Sequence, residues 1–158
     1  MLQTFGCSSL PPTVVLMLEP ARIFIADIQD SQTLLSRVLE GYKLSTANTF
    51  PEAARMLAAD GFDMIICGIH FDDSRMVDLL QAIFKDVRHK NTPVIVFRGA
   101  HSDNVDLLRT TVDTLRKLHS FGAYIELDNY LTEPGPGEAL RKEIEKSIPK
   151  KLLAKRQS

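Results

Sequence analysis

Short apolar runs recur along the chain, and stretches with helical periodicity separate them. The runs are 22–27 (RIFIAD), 42–47 (YKLSTA), 64–67 (MIIC), 92–99 (TPVIVFRG) and 123–127 (AYIEL). The third and fourth runs are continuous and rich in branched side chains, which is typical of strands buried on both faces of a parallel sheet. The order of these patterns therefore favours an α/β fold with helices covering both faces of the sheet.

The segments between the runs carry signals for helix starts and ends. Asp30 or Ser31 is predicted to cap the first helix, because a short oxygen-bearing side chain accepts an orphan backbone N–H. A long fourth helix is predicted to stop at Gly122, and a last helix to cover 138–147. Right-handed crossovers between five parallel strands then give a flavodoxin-like, doubly wound sheet of order 2-1-3-4-5.

The length of 158 residues suits one domain with an ordinary core. The formal net charge of -1 offers no basic excess for nucleic acid or a membrane surface, and we expect neither as a partner. The two cysteines lie in unlike settings, which favours a cytoplasmic location over a disulfide framework. We predict an N-terminal extension over 1–20, a domain over 21–149 and a basic C-terminal tail over 150–158.

Taken in order, these segments resemble the receiver (CheY-like) domains of bacterial two-component response regulators. The resemblance covers 22–147 and lies in the series RIFIADIQDSQTLLSRVLE, GYKLSTANTFPEAARMLAADGFDMIICGI, TPVIVFRG and DNYLTEPGPGEALRKEI. It implies the receiver fold and a signalling role. In an active receiver, an aspartate ending the third strand accepts the phosphoryl group. Two acidic residues after the first strand hold Mg²⁺, and a Ser or Thr and a Lys follow the fourth and fifth strands.

Carried over onto this chain, the resemblance leaves little of that site. Gly68 stands at the phosphoacceptor position. Asp27 keeps the first acidic position, but the second is Ile28, which cannot ligate Mg²⁺. Arg98 stands at the Ser/Thr position.

The lysine position depends on the register of the fifth strand. It falls on Glu133 if the segment DNYLTEP sets the register, and on Asn129 if the strand starts directly after Gly122 and Ala123. Since phosphoryl transfer in this family is nucleophilic and metal-assisted, we predict a degenerate (pseudo-) receiver with no catalytic residue, no metal and no cofactor.

Two other readings stay open at the level of the sequence. An active receiver with a displaced acceptor could use Asp72, and a small flavodoxin-like enzyme or cofactor binder is a further alternative. The segment ADIQDSQ after the first strand contains no glycine, which argues against a phosphate-binding loop. For Arg98, the alternatives are an anion site and an internal ion pair with Asp27 or Glu133.

The expected function is a phosphorylation-independent interaction with a protein partner or with a second copy of the chain. The resemblance implies contacts through the face formed by the fourth helix, fifth strand and last helix, the α4-β5-α5 face of receivers. Leu107, Leu118 and Phe121 lie off the inward stripe of the predicted fourth helix and are the candidate interface residues.

Overall fold

A computed structural model of the chain describes residues 19–73, 75–99, 110, 113, 117, 121–130 and 137–154. The strands are β1 (Arg22–Ala26), β2 (Lys43–Ala47), β3 (Met64–Gly68), β4 (Val94–Arg98) and β5 (Phe121–Glu126). The helices with described bounds are α1 (Gln29–Val38), α2 (Phe50–Ala59), α3 (Met76–Lys85) and the C-terminal helix (Gly137–Glu145). Positions 110, 113 and 117 are helical.

The five strands form one parallel sheet in the order β2-β1-β3-β4-β5, which confirms the predicted topology. The chain leaves β1 toward β2 on one side and then returns to place β3 on the other. In such sheets a crevice forms outside the carboxyl ends of the strands at this switch point, and ligands bind there. The carboxyl edge therefore includes the residues that follow β1, β3, β4 and β5.

Alternating side chains of the sheet enter two apolar layers. On one face Phe24, Ile65 and Val96 pack with α2 and α3, and on the other Ile25 and Ile66 pack with α1 and the C-terminal helix. Every residue of β3 is buried, as its continuous apolar run predicts. Within the described part of the chain, no helix is both long enough and apolar enough to cross a membrane.

The domain continues past the predicted boundary at residue 149. The backbone N–H of Ala21 donates to the carbonyl of Leu152 over 2.9 Å, so the last described segment lies beside the start of β1. Leu152 and Ala154 also pack against the apolar layer under α1. Leu152 and Ala154 thus add to this layer, while Lys150, Lys151 and Leu153 are exposed, and the rest of the predicted basic tail lies outside the described residues.

A buried arginine holds this segment in place. The Arg141 guanidinium donates to the carbonyls of Val38, Glu40 and Ala154 over 3.1, 2.7 and 3.2 Å. Its Nε lies 3.3 Å from a carboxylate oxygen of Glu145. One side chain thus satisfies carbonyls at the end of α1 and in the C-terminal segment, which ties both to the C-terminal helix.

Two predicted element boundaries are wrong. Helix α1 begins at Gln29 with Ile28 as its N-cap, so neither Asp30 nor Ser31 caps it. Gly122 lies inside β5 rather than at a helix end. A Cβ at this position would lie 3.1 Å from the carbonyl oxygen of Val94, where the pairing of β4 and β5 shifts register. Glycine is needed there for close strand packing and not for ending a helix.

Candidate functional site at the carboxyl edge

Asp27 directly follows β1 and is buried, with 1% of its surface exposed. One carboxyl oxygen, Oδ1, accepts the N–H of Ile28 over 2.7 Å. The other, Oδ2, is buried and has no hydrogen-bond donor among the described residues. Burial raises the pKa of Asp27 to about 6. The Ile28 N–H, the Ser31 hydroxyl and the charge of His70 each lower the pKa, but by less than burial raises it.

Gly68 ends β3 immediately beside this carboxyl group. A Cβ built at Gly68 would lie 1.9 Å from Cγ of Asp27 and 2.1 Å from each of its carboxyl oxygens. Such separations lie far inside van der Waals contact. The space in which a residue 68 side chain would begin is therefore filled by the Asp27 carboxyl group, and only glycine fits this arrangement.

Cys67 precedes Gly68 and faces the core from β3. Its side chain is fully buried, and burial, followed by the negative charge of Asp27, raises the pKa of its thiol. A thiol with a raised pKa carries little thiolate at neutral pH and is a poor nucleophile. Cys67 is therefore an apolar core residue and not a reactive thiol.

Ile28, which is predicted to replace the second acidic residue of an active receiver, directly follows Asp27. Its side chain is 41% exposed and makes no side-chain cap for α1. Asp27 and the adjacent Ile28 thus provide one buried carboxyl group and one exposed hydrocarbon at this edge. A hydrocarbon side chain supplies no oxygen ligand to a hard cation.

Arg98 and Glu126 form an ion pair at the ends of β4 and β5. They are partners in the sheet register, and the guanidinium lies 3.5 Å from the Glu126 carboxylate with both side chains about nine-tenths buried. Arg98 thus forms an internal ion pair with Glu126, which was not among its predicted partners, and the predicted partner Glu133 lies outside the described residues. Sequence reasoning missed Glu126, although opposite charges near the ends of two successive apolar runs were a usable signal.

The two predicted lysine positions do not coincide with this pair. β5 ends at Glu126, and exposed Asn129 lies in the 3-10 turn Leu127–Tyr130 that follows. Glu133 lies outside the described residues. Asn129 therefore lies beyond the end of β5, and the register that places the position at Glu133 stays a prediction.

Asp72, the alternative acceptor, has a structural contact. Its carboxylate accepts the N–H of Phe50 over 2.7 Å at the start of α2, and its side chain is 23% exposed. Its backbone φ of 43° is in the left-handed region, which Asp tolerates better than most residues. The geometry gives Asp72 the role of a tertiary cap that joins the loop after β3 to α2.

The predicted interface residues fall mostly beyond what the structure describes. Leu107 and Leu118 lie outside the described residues. Phe121 is the first residue of β5 and is not part of a helix. The prediction that Phe121 belongs to the fourth helix is wrong, because β5 begins one residue before Gly122, the predicted helix end.

A cleft of about 250 Å³ opens at this edge of the sheet. Ile28, Leu34 and Leu127 supply its apolar wall, and Ser31, Asp30 and His70 supply its polar groups. These residues follow β1, β3 and β5 or lie in the first half of α1. The cleft therefore lies at the switch point of the sheet. The buried Asp27 immediately precedes the lining residue Ile28 in the sequence.

The fold is that of response regulator receiver domains. The phosphorylated cyanobacterial phytochrome response regulator RcpA matches with a TM-score of 0.63 and 19% identity, over 80% of this chain and 92% of that one. The chemotaxis response regulator CheY4 of Vibrio cholerae matches with a TM-score of 0.62 and 17% identity, over 82% and 99%. A response regulator from Thermotoga maritima matches with a TM-score of 0.59 and 22% identity, over 83% and 98%. No protein-family model and no curated protein matches the sequence.

Proposed function

We propose that this chain is a pseudo-receiver, a receiver-fold module that signals by binding a protein without being phosphorylated. The main support is the packing of Asp27 over Gly68. The acceptor position carries no side chain, and the adjacent carboxyl group is buried with one oxygen lacking a described donor. Asp27 is a poor substitute nucleophile because its carboxyl group is 1% exposed and a phosphodonor in solution would not reach it.

The surrounding positions support the same proposal. Ile28 offers no oxygen to a cation that would neutralise phosphoryl charge. Arg98 and Glu126 occupy the ends of β4 and β5 with an ion pair of their own. We infer from these residues that the chain is not an enzyme. We also infer that it acts in a bacterial, cytoplasmic two-component-type pathway, since the solved neighbours are bacterial response regulators.

Exposure to Mg²⁺ and beryllofluoride tests phosphorylation independence. Amide NMR signals of residues around Asp27 and Gly68 are expected to be the same with and without both reagents. The corresponding signals of an active receiver treated in parallel are expected to shift. Localised, saturable shifts at these residues would contradict the proposal. Gly68→Asp is also expected to stay unlabelled by a small-molecule phosphodonor, because the new side chain must displace the Asp27 carboxyl group and still lacks a metal.

Partner binding is proposed for the face that combines the predicted fourth helix, β5 and the C-terminal helix. We expect Leu107→Glu or Leu118→Glu to abolish self-association or partner capture, since interface energy concentrates in a few large side chains. Val87→Glu is a suitable control, because Val87 is 83% exposed in the 3-10 turn between α3 and β4. Light scattering reports self-association, and pull-down reports a partner. If the two leucine variants fold and behave like the parent in both assays, this face is not the interface.

A further inference from the structure

The cleft at the carboxyl edge combines an apolar wall with a negative rim. Leu34 and Leu127 form part of the wall, and Ile28 adds a side chain that is 41% exposed. Ile28 is one of three large hydrophobic side chains that are exposed among the described residues. An exposed hydrocarbon inside a concave site gains free energy when a ligand covers it.

The polar groups of the cleft favour a positively charged ligand group. Asp30 in the first turn of α1 has an exposed carboxylate, and the Ser31 hydroxyl can accept a hydrogen bond. Asp27 lies next to lining residue Ile28 and interacts with two other lining residues, Ser31 and His70. Two carboxyl groups, one lining the cleft and one beside it, therefore stand against the single imidazole of His70 in setting its potential.

An anionic ligand is disfavoured at the same place, although α1 starts there. A helix N-terminus attracts anions through its free N–H groups and its dipole. Here Asp27 already accepts the N–H of Ile28, and Asp30 lies in the first turn. These two carboxyl groups offset the positive end of the helix, so a second anion would meet negative charge.

We propose that this cleft binds a small organic cation, a primary ammonium group carried on a compact apolar body. The ammonium group donates hydrogen bonds to Asp30 and Ser31, and the apolar body covers Ile28, Leu34 and Leu127. This use of the cleft requires neither a metal ion nor a phosphoryl group. It does not depend on the proposed protein–protein function, and the phosphodonor and pull-down assays above leave it untouched.

Three aromatic probes of similar size test the ligand chemistry on the full chain: benzylammonium, benzyl alcohol and benzoate. Amide NMR titration is expected to give saturable shifts for benzylammonium at residues 28–34 and at His70 and Gly99. The alcohol should bind about tenfold more weakly, because a hydrogen bond between charged groups is worth more than one between neutral groups. Benzoate should give no saturable shift.

Two variants separate the charged and apolar parts of the site. Asp30→Asn should remove the preference for the ammonium probe over the alcohol, whereas Asp78→Asn in the first turn of α3 should keep it. Ile28→Ser should weaken both probes, because it removes the exposed hydrocarbon. Absence of saturable binding, equal binding of ammonium and alcohol, or an unchanged preference in Asp30→Asn would each overturn the proposal.

Discussion

Replacing Asp27 by asparagine is expected to change how stability depends on pH. Burial raises the pKa of Asp27 from 3.8 to about 6, so the folded chain binds a proton more tightly than the unfolded chain. The contribution of this group to stability is therefore greatest below about pH 4, falls as the pH rises to about 6, and stays low above that. A tenfold change in proton affinity is worth ~1.4 kcal/mol, so the ionised group costs ~3 kcal/mol at pH 7.

Asparagine removes this cost but adds a smaller one. Its amide oxygen can still accept the Ile28 N–H, which now binds Oδ1 over 2.7 Å. Its amide nitrogen would occupy the place of Oδ2, which has no donor among the described residues and is buried. The amide carries two N–H groups where the protonated acid carries one O–H, and this additional unsatisfied buried donor costs ~1–2 kcal/mol. The variant should thus be ~1–2 kcal/mol more stable than the parent at pH 7.5 and less stable by about the same amount near pH 4.

Urea unfolding followed by circular dichroism measures this difference at intervals from pH 4 to pH 7.5. Subtracting the parent's free energy of unfolding from that of the variant at each pH cancels the contributions of all other titrating groups. Gln29→Ala is the control, because it changes an exposed side chain without a titratable group in the same segment and should leave the difference flat. A flat difference for Asp27→Asn as well would refute the argument that burial dominates the proton affinity of Asp27.

Two further substitutions test the packing described above. Gly68→Ala should destabilise the protein by ~1–3 kcal/mol in urea unfolding, because its Cβ overlaps the Asp27 carboxyl group, whereas Gly61→Ala meets nothing within 4 Å and should have little effect. Equal effects of the two alanines would contradict the steric account of Gly68. Arg141→Met should cost ~3–5 kcal/mol, because it leaves buried carbonyls and a carboxylate without their donor, while Lys142→Met on the exposed side should be near neutral in the same assay.

The sequence predicts the sheet well because the apolar composition of the strands identifies them. The uninterrupted apolar runs in β3 and β4 leave no other plausible environment than the sheet interior, and short crossovers restrict the strand order. The proposal that this edge is degenerate also comes from the sequence, since it depends on which residue types are present. Gly68 and Ile28 are informative without any coordinates.

The contacts between distant segments could not be predicted in the same way. Gly122 has the local appearance of a helix end, and only its approach to the Val94 carbonyl gives it a place in β5. The predicted fifth strand covers 123–127, whereas β5 covers Phe121–Glu126. The pairing of Arg98 with Glu126 follows only from the register between β4 and β5. The displacement of the Asp27 carboxyl group over Gly68 likewise depends on two strands meeting at one edge. Such pairings depend on register, which local patterns specify weakly.

The hydrogen bond between Ala21 and Leu152 has a practical consequence for engineering. It places the two described ends of the chain next to each other at the amino-terminal start of β1, on the opposite side of the sheet from Asp27 and the cleft. A short flexible linker between residues 19 and 154 should therefore allow circular permutation, since closing a short gap costs little chain entropy. Fluorescent tags or immobilisation anchors attached at residue 19 or residue 154 would likewise lie away from the carboxyl edge and leave it accessible.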